Sequence, residues 1–186
     1  ELGAFRPRAM ARTALAAAST TPPRVEVLAT ICSLVAEGGS SELAAFEPRD
    51  IVALSWALAA SGHRDVPAMT AIGWQLADRA WEFSGDELAK VLRSFAELGL
   101  LHQGMMATVS METMWKIDQF SARSLAQVAE SCARLGYCKE PMFDWLACRV
   151  IGRIEDYAAQ DLASVMWAFG QASFKNEALA QTVAAE

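Results

Sequence analysis

Several features that define common protein classes are scarce or missing in this 186-residue sequence. No apolar run approaches the ~20 residues that a membrane-spanning helix needs, so the sequence predicts no membrane span. The four cysteines form no Cys-x-x-Cys pair, which argues against a disulfide or metal framework and favours a reducing compartment. The formal net charge is −6 and the pI is near 5.0. A bulk electrostatic attraction to nucleic acid is therefore not expected.

Signatures of catalysis are missing as well. The sequence contains no glycine-rich phosphate loop, no nucleophile elbow and no triad pattern with a histidine. His63 and His102 are predicted to lie in turns without companion ligands. Acidic pairs such as Asp86-Glu87 stand at helix ends, where solvated or helix-dipole roles are expected. We therefore expect a protein without enzymatic activity, metal, cofactor or small-molecule substrate.

The sequence does contain a repeat with a period of 37 residues. The stretch Phe83–Gly99 recurs, and the aromatic residues that open the copies lie 37 apart at Phe46, Phe83, Phe120 and Tyr157. A fixed period of this length is typical of stacked helical repeats. Apolar residues follow each aromatic after five, eight and twelve positions, which is the spacing of one helix face. These residues are Ile51, Leu54, Leu58; Leu88, Val91, Phe95; Leu125, Val128, Cys132; and Leu162, Val165, Phe169.

Each copy is predicted to be a pair of helices. Gly62, Gly99 and Gly136 fall where a first helix ends in a left-handed residue, and a second apolar stripe runs from each glycine to the next aromatic. Ser84 and Ser121 stand where they can cap the incoming helix. We expect first helices near 7–17, 48–61, 85–98, 122–135 and 159–172.

The predicted fold is all-α, a right-handed α-solenoid of about five helix-turn-helix repeats. It forms a single domain over residues 1–186, with repeats at about 5–45, 46–82, 83–119, 120–156 and 157–186. The first repeat opens at Phe5 and is longer by four residues, which we assign to a turn-rich insertion at Gly38-Gly39-Ser40-Ser41 between helices. Because the last repeat stops inside its second helix, we expect the chain to be part of a longer protein.

One face of the first helices, the variable face, changes its chemistry from repeat to repeat. A repeat protein that recognises RNA bases would vary in this way, with polar groups for base edges and planar groups for stacking. A solvated helix face without a function would vary just as much. A second set, the cation ladder, recurs near the end of each second helix and would suit a phosphate backbone. Alternatively, each ladder cation completes a helix dipole and pairs with a nearby acid, as Arg79 with Glu82 or Arg153 with Asp156. The candidate residues are Arg49, Trp56, Lys90, Arg93, Arg123, Gln127, Glu130, Arg134 and Trp167 on the variable face, and Arg79, Lys116 and Arg153 in the cation ladder.

The period, the Phe-x-x-x-x-Leu opening and the segments Leu54–Gly62 and Val165–Gly170 resemble the octotricopeptide and heptatricopeptide repeats, which also occur in proteins with a RAP domain. The resemblance implies an organellar protein of the mitochondrial matrix or chloroplast stroma, with organellar RNA or protein subunits of a large complex as partners. It implies a non-enzymatic binding module in organellar RNA metabolism or translation. The alternative is a protein scaffold in an organellar assembly such as the ribosome, without base recognition. The acidic net charge and the absence of a recognisable RAP domain favour this alternative.

Overall fold

The computed structural model describes residues 7–185, except for the side chain of Ser40. Within this range the chain forms helices joined by short turns, and no strand occurs. The all-α prediction is confirmed. Phe5, predicted to open the first repeat, lies outside the described residues. The helices are α1 Pro7–Ala18, α2 Val25–Leu43, α3 Pro48–Ala60, α4 Val66–Arg79, α5 Gly85–Leu98, α6 Gln103–Trp115, α7 Ala122–Arg134, α8 Glu140–Gly152, α9 Ala159–Gln171 and α10 Glu177–Ala184.

The odd-numbered helices begin and end within one residue of the predicted bounds, because strong local signals mark their ends. At α5, the Ser84 side chain accepts a hydrogen bond from the Glu87 amide, and the Glu87 carboxylate bonds back to the Ser84 amide. Ser121 caps α7 in the same position by accepting from the Ser124 amide. Gly99 closes α5 at φ 63°, where glycine meets no steric penalty.

The helices pack in two rows. Each odd-numbered helix contacts the next odd-numbered one, from α1 through α9, and each even-numbered helix contacts the next even-numbered one, from α2 through α10. Small residues at one position of the odd helices, including Ala57 and Ser94, are at most 2% exposed and allow close approach. The hydrophobic core lies between the rows. None of the helices in residues 7–185 combines the length and hydropathy that a membrane span requires.

The predicted core positions are confirmed. Ile51, Leu88 and Leu125 are at most 1% exposed, as is Cys132, predicted to behave as a small core hydrophobe. Burial raises the pKa of the Cys132 thiol well above its ordinary range. The aromatics that open the copies fill the corners between successive helix pairs and are at most 8% exposed. They are Phe46, Phe83, Phe120 and Tyr157.

The insertion predicted at Gly38–Ser41 coincides with a break in α2. Two helical segments meet at Gly39, which leaves the helical region at φ 55° and ψ −146°, so the insertion is a kink rather than a separate loop. One glycine is enough to kink the chain without a loop.

One sequence prediction about local structure is wrong. Cys148 shares an apolar position of the repeat with Trp74 and Met111, and this pattern predicts that it is buried. Cys148 is exposed, and Trp74 and Met111 are 51% and 46% exposed. Cys148 stands two residues, or about 200° around α8, from the buried Leu146. Apolar character at this position therefore marks the outer face of the even-numbered row.

Candidate functional site

A groove runs across the odd-numbered helices over the variable face. It consists of two hollows of about 380 and 470 Å³ that share Arg93, Glu97, Arg123 and Gln127 in their walls. The groove reaches from Trp56 on α3 to Ser164 on α9. The 37-residue period brings these side chains together, because equivalent positions of packed first helices lie side by side.

The groove assembles most of the predicted variable-face residues. Trp167, which does not line it, contacts it through Arg134, whose guanidinium carbon lies 5.5 Å from the centre of the Trp167 ring. Trp56 and Trp167 are 46% and 42% exposed, so neither is buried between adjacent helices. Arg49 lies outside the walls of the two hollows and forms an ion pair with Glu47. The predicted residues in the walls are Trp56, Lys90, Arg93, Arg123, Gln127, Glu130 and Arg134.

The charges in the groove are balanced. Arg93 pairs with Glu97 at 2.7 Å, and Arg134 pairs with Glu130 at 2.8 Å, each within one helix. Arg123 is exposed and makes no ion pair with the described part of the chain. The walls carry the cations Lys90, Arg93, Arg123 and Arg134 and the carboxylates Asp86, Glu97, Glu130 and Asp161. The groove thus offers directed donors and acceptors without a strong net field.

Asp86 links two repeats at the edge of the groove, a role that the sequence analysis missed. Its Oδ1 accepts hydrogen bonds from Ser124 Oγ at 2.5 Å and from Ser121 Oγ at 3.0 Å. These bonds, with Ser124 contributing most, hold the pKa of Asp86 below its ordinary value. The contact fixes the start of α7 against α5. Its signal in the sequence is the occurrence of two serines near the start of α7, 35 and 38 residues after Asp86.

The cation ladder is engaged by the protein itself. Arg79 Nη2 donates to the Phe46 carbonyl at 3.2 Å. Lys116 Nζ donates to the Phe83 carbonyl at 3.3 Å, and Arg153 Nη1 to the Phe120 carbonyl at 3.5 Å. Each cation therefore reaches back to the aromatic corner that opens its own helix pair.

The acid partners of the ladder also lie within the protein. The predicted pairs of Arg79 with Glu82, at 2.6 Å, and of Arg153 with Asp156, at 2.5 Å, are confirmed. Lys116 pairs with Glu112 at 2.8 Å. The hydrogen bond from Arg79 lowers the pKa of Glu82. Since these cations satisfy corner carbonyls and carboxylates, an added phosphate would compete with existing bonds.

The even-numbered row exposes large aromatic side chains that sequence reasoning did not single out. Trp74 on α4 and Trp145 on α8 are 51% and 55% exposed, and Trp81 and Trp115 are 68% and 74% exposed. We call these four residues the exposed tryptophans. Their positions carry no tryptophan in the other repeats, so a comparison of residues 37 apart does not single them out. Exposed aromatic residues are enriched at protein interfaces.

One cluster has the donor types of a metal site. Cys32 Sγ, a ring nitrogen of His63 and a carboxylate oxygen of Asp65 all lie within 4.8 Å of one another. The expectation that His63 lacks companion ligands is therefore wrong, because Cys32 is distant in sequence but adjacent in the fold. Burial, and secondarily the charge of Asp65, raises the pKa of Cys32 to about 12.

Comparison with known families matches residues 2–186 to the family described as RNA-editing substrate-binding complex 6 protein. The chain belongs to this family. No curated protein shows significant similarity to the sequence. The match spans every helix and both hollows of the groove, so the groove belongs to a member of an RNA-related helical family.

Proposed function

We propose that this chain is a non-enzymatic helical-repeat module of organellar RNA metabolism or translation, and that it contacts single-stranded RNA through the groove. The observation that carries the proposal is that one groove brings together Arg93, Arg123, Gln127 and Arg134. The family description, RNA-editing substrate-binding complex 6 protein, supports RNA as the partner. Guanidinium and amide groups are suited to the exposed edges and phosphates of unpaired nucleotides.

The groove and its flanks combine polar and stacking contacts. Arg123 has no carboxylate partner among the described residues, so it can bind a phosphate without breaking an ion pair. Trp56 and Trp167, at opposite ends, are 46% and 42% exposed and offer indole rings on which bases can stack, with Arg134 already lying over one face of Trp167. Because the carboxylates balance the cations, we propose a local strip of contact with only one or two phosphates.

The proposal also covers the handedness, number and type of the helical repeats. The two rows of helices, the repeated corner aromatics and the repeated carbonyl contacts of the cation ladder support a right-handed α-solenoid of about five 37-residue, octotricopeptide-like repeats. We assign it to an organelle, the mitochondrial matrix or the chloroplast stroma. The cation ladder takes a structural role in this proposal, since its cations are already bound to the protein.

Stacking on the groove tryptophans provides the test. Removing a ring on which a base stacks costs about 1–3 kcal/mol of binding free energy. Trp56→Ala and Trp167→Ala should therefore weaken binding of a randomised single-stranded RNA pool, measured by fluorescence anisotropy, by at least about fivefold each. Trp145→Ala, which removes a similarly exposed ring on α8, is the matched control and should bind like the parent. Equal affinities for all three variants would refute the groove as the RNA site.

A second candidate function, a scaffold that binds protein subunits of a large assembly such as the organellar ribosome, is favoured by the exposed tryptophans. Four rings at 51% to 74% exposure supply the aromatic anchors that dominate protein interfaces. In this case Trp115→Ala and Trp145→Ala would release the chain from its complex in a pull-down, while the groove variants would remain bound.

A further inference from the structure

The Cys32–His63–Asp65 cluster lies where α2 meets the turn between α3 and α4. Cys32 is 1% exposed and projects from α2, while His63 and Asp65 belong to the turn that follows Gly62. The turn is held in place by the His63 amide, which donates to the Leu58 carbonyl at 3.0 Å. Two of the three donors are thus carried by a turn of defined geometry.

The hydrogen bonds of the protein leave donor capacity in this cluster unused. Asp65 Oδ1 accepts from the Ala68 amide at 2.9 Å and caps α4, which leaves its second carboxylate oxygen without a cap role. His63 Nε2 is buried and has no hydrogen-bond partner among the described residues. A buried ring nitrogen without a partner costs free energy, and a ligand on it would offset that cost.

The equivalent junctions of the chain lack this donor set. The position of His63 is taken by Leu100, Tyr137 and Phe174, whose amides make the same backbone hydrogen bond and whose side chains pack on the core. The cap position of Asp65 is taken by His102, Lys139 and Asn176, and the residues one repeat on from Cys32 are Gly73, Ser110 and Ala147. A thiol, an imidazole and a carboxylate therefore lie together at this one junction. At the equivalent junctions a small residue replaces the thiol and an apolar core residue replaces the imidazole.

We propose that Cys32, His63 and Asp65 bind a Zn²⁺ ion that joins α2 to the α3–α4 turn. Zn²⁺ takes thiolate, imidazole and carboxylate ligands at about 2.0–2.3 Å in a tetrahedron, whose ligands stand roughly 3.5 Å apart. The observed separations of up to 4.8 Å require a contraction of about 1 Å. A water molecule would take the fourth position. A sulfur and a nitrogen donor favour a borderline transition ion over Mg²⁺ or Ca²⁺, which prefer all-oxygen sites.

Co²⁺, which takes the same ligands and geometry, provides the spectroscopic test. Titration of the reduced, metal-free chain with Co²⁺ should produce a thiolate-to-cobalt charge-transfer band that saturates at one equivalent, and Zn²⁺ should remove it. Zn²⁺ should also raise the melting temperature, since an ion that binds the folded state stabilises it. Absence of the band at one equivalent in the parent chain would overturn the proposal.

The repeat itself supplies variants that are compatible with folding. His63→Leu introduces the residue found at position 100 and should abolish both the band and the Zn²⁺ stabilisation. Asp65→Asn keeps a cap of the kind that Asn176 provides for α10, and it should bind Zn²⁺ at least tenfold more weakly. Cys148→Ser removes an exposed cysteine outside the cluster and should leave both signals unchanged. A full signal in His63→Leu, or parental affinity in Asp65→Asn, would contradict the three-ligand site.

Discussion

At the scale of single residues, one position shows how the repeat changes its chemistry while it keeps its role. The cap of the second helix is an aspartate at Asp65, a histidine at His102 and an asparagine at Asn176, and each accepts a hydrogen bond from the amide three residues on. In His102 the acceptor is Nδ1, which lies 3.1 Å from the Met105 amide. An unprotonated nitrogen is therefore required for this cap.

This requirement makes one part of the stability dependent on pH. Burial lowers the pKa of His102 below its ordinary value, and the ring also packs edge-on against Trp74 with centroids 4.8 Å apart. Because the unfolded chain binds the proton more tightly, the contribution of His102 is complete above about pH 6.5 and is lost as the pH falls through the lowered pKa.

His102→Asn tests this dependence, because it retains an N-cap acceptor that does not titrate. We expect the free energy of unfolding of the variant, measured by urea denaturation, to fall less than that of the parent between about pH 7 and pH 5. The difference between variant and parent at pH 8 gives the packing cost of the change and serves as the reference. Parallel pH profiles would show that His102 does not titrate on unfolding.

Ser173 carries a strained backbone at the position that glycine takes elsewhere. Its φ is 57°, close to the 62, 99 and 136 positions, where glycines have φ between 63° and 67°. A left-handed conformation costs a residue with a side chain roughly 1 kcal/mol. Ser173→Gly should therefore stabilise the chain by about 0.5–1 kcal/mol, and Gly99→Ala should destabilise it by ~1 kcal/mol or more. The two urea midpoints should move in opposite directions, and a lower midpoint for Ser173→Gly would contradict this account.

At the scale of elements, the corner between helix pairs is the unit that repeats most faithfully. A buried aromatic fills the corner, and a ladder cation from the end of the following helix binds its carbonyl. Lys116 shows the most buried version, because its side chain is 19% exposed and that of its partner Glu112 is 10% exposed. The loss of this cation would leave a carboxylate and two carbonyls without their donor.

Lys116→Met retains an unbranched apolar chain of the same length as the lysine stem and removes the ammonium group. It should lower the free energy of unfolding by about 1–3 kcal/mol, because a buried acceptor without a partner bears its full desolvation cost. Lys90→Met, which changes an exposed lysine of α5, should stay within about 0.5 kcal/mol of the parent. If Lys116→Met leaves the stability unchanged and weakens RNA binding, the structural role of the cation ladder is contradicted and a phosphate-binding role is supported.

At the scale of the whole molecule, the predictable part of the structure is the part that is periodic along the chain. The sequence predicts the apolar core positions, the corner aromatics and the capping serines, because the physical reason for each lies within a few residues of it. The ladder pairs of Arg79 and Arg153 with nearby acids could be predicted for the same reason. Their contacts with Phe46 and Phe120, 33 residues away, could not, because the periodicity does not show which carbonyl faces the side chain.

The candidate site likewise has a part that the periodicity predicts and a part that it does not. The groove residues could be selected from their changing chemistry at a fixed position, since neighbouring first helices align these positions. The balance of their charges could not be predicted, because it depends on which side chains pair, such as Arg134 with Glu130. The Cys32–His63–Asp65 cluster was missed because its donors occupy different positions of the repeat, and the periodicity does not show that Cys32 of α2 lies beside the α3–α4 turn.

The salt dependence of RNA affinity tests the central claim, that the groove contacts RNA along a local strip, most directly. Each phosphate neutralised on a single strand contributes a slope of about −0.7 to the logarithm of the association constant against the logarithm of salt concentration. With one or two phosphate contacts, a randomised single-stranded RNA pool should give a slope between about −0.7 and −1.4 for the parent chain. Arg123→Gln should make this slope shallower by about 0.7, while Lys116→Met and Arg64→Gln, an exposed arginine of the α3–α4 turn, should leave it unchanged. No binding at low salt, or a slope that Arg123→Gln does not alter, would contradict the claim and leave the scaffold function in its place.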